Sequence, residues 1–186
     1  MAGQDVAKMA INGAMTALAV SAVAYRSSFA AKQAAAKAGS DCAFASNLST
    51  VPWKQEEDED GEEGEVVVTD KKSPKAIMVH VRAGAEAAQS SSDKASKAAL
   101  LAHDAACAAV RWAEHMETRC EQPGCVATFM LPSGPVTMVP VEWVQTLHFI
   151  SVLVEAAKAH AAAAAAFAST AEAHAAAVAA AYDWLA

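Results

Sequence analysis

No stretch of this 186-residue chain concentrates lysine and arginine. The densest group, Lys71, Lys72 and Lys75, follows an acidic run and reads as charge balance on a loop. Phosphate binding needs clustered cations, so the sequence argues against nucleic acid as the main partner. Cysteine is sparse: four residues, Cys42, Cys107, Cys120 and Cys125, fall short of a disulfide-dependent framework. There is no GxSxG elbow, P-loop or dinucleotide fingerprint, and Ser90-Ser91-Ser92 is a polar helical tract, not an activated serine. The sequence therefore offers no catalytic residue, no cofactor site and no grounds for an enzyme.

Metal-ligand spacing is missing too. His103 and Cys107 stand one helical turn apart, and His115, Cys120 and Cys125 lie close in sequence. Neither group matches a standard four-ligand zinc pattern, so the expectation is no metal. Cys120 and Cys125 flank the turn sequence Glu-Gln-Pro-Gly. They form either a disulfide or two free thiols, and the free thiols are favoured.

Formal charge is also scarce where helices are expected. The run Glu56 to Glu65 holds eight carboxylates, and without it the net charge of −7 becomes about +1. Between Ala159 and Tyr182 the only charged residue is Glu172. A solvated surface helix shows a charged face opposite its apolar stripe, and this segment does not.

What the chain has instead is alanine, 50 of its 186 residues, mostly in Ala2–Ala45, Ala83–Ala113 and Ala156–Ala186. Alanine is the best helix former. It is a weak source of burial energy, about 0.8 kcal/mol per methyl against roughly 1.5–3 for a larger apolar side chain. Small side chains let backbones approach closely, so long helix–helix contacts are the natural use. One face of the first helix repeats at spacings of four and three: Ile11, Met15, Leu18, Ala22, Tyr25 and Phe29. That is a heptad seam.

The pattern predicts one domain over 1–186, mainly α, with three long antiparallel helices and one or two short β-hairpins near their ends. The first helix should run over 4–45, with Gly39-Ser40-Asp41 a weak point. A solvated acidic loop follows over 47–65, opened by Pro52. Val66-Val67-Val68 and Ile77-Met78-Val79-His80-Val81 suggest a hairpin over 66–81, because β-branched residues favour strands. The second helix should cover 83–118, where Leu100, Cys107, Val110 and Glu114 share a face. A second hairpin is expected over 125–140 around Pro132-Ser133-Gly134-Pro135. The third helix should span 141–185, with Trp143 to Val154 supplying the main core. Its later part carries Phe167, Ala171, His174, Val178 and Leu185 on one stripe. His160 and His174, two heptads apart, share a face as well.

The expected function is structural: a self-assembling protein whose partner is itself, as a homo-oligomer, filament, ribbon or shell. The expected interface residues are Ile11, Met15, Leu18, Tyr25, Phe29, Phe167, His174 and Val178. A membrane-active or pore-forming helical protein is the alternative, and a non-enzymatic binding or adaptor module comes third. Met9–Tyr25 is uncharged but short for a spanning helix and contains Asn12, Thr16 and Ser21. Ala22-Val23-Ala24 resembles a signal-peptidase site, yet Asp5 offsets Lys8 in the leader region, so secretion is not favoured. The expected setting is cytoplasmic, or an intracellular or virion-like assembly.

Overall fold

The computed structural model describes residues 2–49, 74–120, 127–131 and 134–184. Three helices dominate: α1 (Ala2–Ser49), α2 (Pro74–Cys120) and α3 (Val141–Asp183). At about 1.5 Å per residue each is a rod of roughly 65–70 Å. Each packs on the other two. One core cluster joins Ala10 and Ala17 of early α1, Ala113 and Met116 of late α2, and Trp143 and Ile150 of early α3. Thus α2 runs antiparallel to α1 and α3, which run together.

A single rule places the side chains. On α1 the buried residues are Ala10, Ala14, Ala17, Ser21, Ala24, Ser28, Ala31, Ala35, Ala38 and Ala45. On α3 they are Trp143, Ile150, Val154, Ala157, Ala161, Ala164, Ala168, Ala171, Ala175 and Val178. Both sets step by four and three residues, or once by their sum of seven, the spacing that keeps one stripe facing its partners along a long contact. The α2 stripe, Val81, Ala88, Ser92, Ala95, Ala99, Ala102, Ala106, Ala109, Ala113 and Met116, follows it as well, with Ser91 and Ala98 also buried beside it. Middle layers contain only alanine and serine, whereas bulky residues collect at the two ends.

Two glycines accommodate branched side chains of α3. A Cβ on Gly13 would stand 2.8 Å from Ile150 Cγ2, and one on Gly84 would stand 2.7 Å from Val178 Cγ2. Seam serines bond within the bundle. Ser21 Oγ donates to the Leu18 carbonyl at 3.1 Å, and the Ser28 and Ser96 hydroxyls meet across α1 and α2 at 3.1 Å.

The expected fold class is corrected in its β component: the architecture is an all-α three-helix bundle. Ile77–Val81, read as a strand, belongs to α2, so no hairpin forms over that segment. Val81 is fully buried on the α2 seam, with Ile77 and Met78 packed beside it. Burial on a helical period outweighs the β preference of Ile and Val. Pro74 suits the first helical position, where its missing N–H costs nothing. Val66–Val68 and the acidic run lie outside the described residues.

Between α2 and α3, β1 (Ala127–Leu131) pairs antiparallel with β2 (Gly134–Met138). Among the residues whose burial is described, the buried members of every core cluster are helical. The α1 helix continues through Gly39-Ser40-Asp41, where an added Cβ would meet nothing within 4 Å. The α3 helix begins after Pro140, whose carbonyl accepts the Trp143 N–H at 3.0 Å.

Candidate functional site: the outer face of α1 and α2

The α1 stripe of large residues runs one position after the buried seam. Ile11 follows Ala10, Met15 follows Ala14, Leu18 follows Ala17, Tyr25 follows Ala24 and Phe29 follows Ser28. Ile11 and Leu18 are half-buried, while Met15, Tyr25 and Phe29 are 61%, 42% and 63% exposed. The α2 stripe behaves alike: Leu100 is 54% exposed, His103, Cys107 and Val110 are half-buried, and Glu114 is exposed.

The two stripes border the same groove. Tyr25 meets His103 edge-on, with ring centroids 5.6 Å apart and planes at 66°. Ser28 meets Ser96 one turn further along α1. These pairings fix an antiparallel register that puts Phe29 of α1 within about one turn of Leu100 of α2 along the bundle. His103 Nε2 and Cys107 Sγ lie 3.5 Å apart on the α2 bank. The face thus combines exposed apolar groups with a His–Cys pair.

The remaining expected interface residues are distributed differently. Val178 is buried inside the bundle, and Phe167 and His174 are half-buried on α3. Lys94 sits 6.0 Å from the Phe167 ring centre, so this ring faces α2. The structure brings Met15, Tyr25 and Phe29 to one surface and leaves Val178 in the core. Cys120 is half-buried at the end of α2, and Cys125 lies outside the described residues.

A second feature sits at the Trp143 end. Trp112 stacks on Phe149 at 5.8 Å with planes 9° apart, and His115 meets Trp112 edge-on. With Arg119 and Glu142 they line a cavity of about 210 Å³. The Arg119–Glu142 pair spans 3.8 Å between two exposed side chains, a geometry that contributes little. Sequence reasoning missed this cluster. Its signal was the spacing of Trp112 and His115 on one helix and of Glu142 and Phe149 on the other.

Among the described residues, no three His, Cys, Asp or Glu side chains come together as metal ligands. Fold and surface define a class, an all-α bundle whose middle layers are alanine and serine and whose surface carries large apolar groups. Comparison with known proteins adds no closer relation: no family model, curated protein or solved structure matches the chain.

Proposed function

We propose that this chain is a self-assembling structural protein whose copies meet across the α1–α2 face. One observation carries the reading. Large apolar side chains that would ordinarily form a core, Tyr25, Phe29 and Leu100, stand on one solvent-facing surface, while alanine fills the interior beneath them, and exposed Met15 extends the same stripe along α1. Contiguous exposed apolar surface marks an interaction site. Alanine seams alone bury little energy per residue, so a second contact that covers the larger groups stabilises the fold as well as the assembly.

Sedimentation equilibrium over a concentration series tests this. A multimer is expected at low micromolar concentration, with apparent stability rising with protein concentration. A folded monomer throughout the series would end the reading.

A second reading rests on a separate observation. Segments of Gln4–Asn47 and Val141–Asp183 are long and apolar enough to cross a membrane, and 28% of each apolar window is buried in the bundle. In that case α1 and α3 would leave α2 and meet lipid. Release of a trapped dye from vesicles would support it, and intact vesicles with a soluble multimer would support assembly.

A further inference from the structure

We propose that the His103–Cys107 pair is half of a zinc site completed by a second copy of this chain. In a tetrahedral site, Zn–S and Zn–N bonds of about 2.3 and 2.0–2.1 Å set the two donor atoms about 3.5 Å apart. Cys107 Sγ and His103 Nε2 stand 3.5 Å apart as a hydrogen-bonded pair, and with that hydrogen bond exchanged for two metal bonds one chain presents an edge of the tetrahedron. Nitrogen and thiolate donors together favour zinc over the hard cations that select oxygen. Tyr25, edge-on to the imidazole, restrains the ring from the α1 side.

The second edge cannot come from the described part of the same chain, since no third His, Cys, Asp or Glu joins the pair. A two-fold axis supplies it, because an isologous contact brings each residue of the patch against the same patch on the partner. His103 and Cys107 of two copies would then complete a His₂Cys₂ sphere. Leu100 stands about one turn before His103 on α2 and Phe29 about one turn past Tyr25 on α1, and the same contact covers both. Binding joins deprotonated Cys107 thiolates and neutral imidazoles to the metal, with each thiol proton released to solvent. The inference rests on the reading that this face is where copies meet, and adds the ion that fixes their register.

The test uses the full chain, reduced and metal-free, titrated with Co²⁺ as an optical substitute for zinc and then with Zn²⁺. The expected result is a thiolate-to-cobalt charge-transfer band that saturates at one metal per two chains and is displaced by zinc. Sedimentation should show the dimer favoured by metal. Cys107→Ser and His103→Gln should each abolish the one-to-two stoichiometry and the metal dependence of dimer formation, with helix content unchanged by circular dichroism. Both variants should still associate without metal, through the apolar groups.

Saturation at one metal per chain, or a band that survives Cys107→Ser, would overturn the site. A monomeric metal-free protein that dimerises at one metal per two chains would keep the site and remove metal-free assembly. Metal-free assembly with no cobalt band would do the reverse.

Discussion

The ends of the bundle and its middle solve the same packing problem in opposite ways. At one end Trp143, Ile150, Val154 and Met116 fill the space between helices, and at the other Val81 and Val178 do so. In the middle the buried positions are Ala24, Ala31, Ala95, Ala102, Ala164 and Ala171; Val20 and Phe167 pack half-buried at the margin, and Tyr25, Phe29, Leu100 and Leu101 point outward. The ends are held by side-chain volume, and the middle by backbone proximity. Bulk that is absent from the middle of the core reappears on the surface at the same level, as Tyr25, Phe29, Leu100 and Leu101.

The sharpest way to break this contrast is to exchange the two strategies, with unfolding measured at one fixed protein concentration. Trp143→Ala empties a site where the ring is 5% exposed, and should cost about 3–5 kcal/mol. Ala164→Leu adds volume where the residue is fully buried among alanines, and should cost about 1–3 kcal/mol. If Ala164→Leu stabilised the protein, the middle would be underfilled and not close-packed. Denaturant midpoints by circular dichroism give both numbers.

The glycine contacts sharpen the same point on a smaller scale. Gly13→Ala would bring a methyl to 2.8 Å from Ile150 Cγ2, and should cost about 1 kcal/mol or more despite alanine's better helix propensity. In an Ile150→Ala background the obstruction is gone, and the change should become neutral or favourable. Additive effects in that double-mutant cycle would show that the two groups do not touch. The smallest effect belongs to the middle. Replacing Ser28 and Ser96 together with alanine removes both hydroxyls and leaves no unpaired partner, so stability should change by less than about 1 kcal/mol. A single Ser28→Ala should cost at least as much as the pair.

Much of the skeleton was legible in the residues. Alanine content announced long helices, and Pro140 announced the start of α3. Two features were misread for physical reasons. Ile77, Val79 and Val81 carry strand preference locally, and the heptad register that makes them helical is visible only when continued through Gly84 and Ala88. On α1 two stripes, one residue apart, share the same four–three spacing. Hydrophobicity draws attention to Ile11, Met15, Leu18, Tyr25 and Phe29, whereas steric fit puts the smaller stripe inside. Ser21 and Ser28 in that smaller stripe were the available clue, because a small hydroxyl can bond a helix carbonyl or a facing serine. The candidate site was partly legible. Its stripes on α1 and α2 were read separately, and only their antiparallel register shows that they share a groove.

The central claim is that the large side chains displaced from the core make an interface between copies. Sedimentation equilibrium of Phe29→Glu/Leu100→Glu beside Lys37→Asp tests it most directly. The two glutamates fall on exposed positions, where a charge should change folding by no more than about 0.5 kcal/mol each. The account predicts a helical monomer for the double variant and an unchanged multimer for Lys37→Asp. A double variant with the mass of the wild type and the same dissociation constant would contradict it.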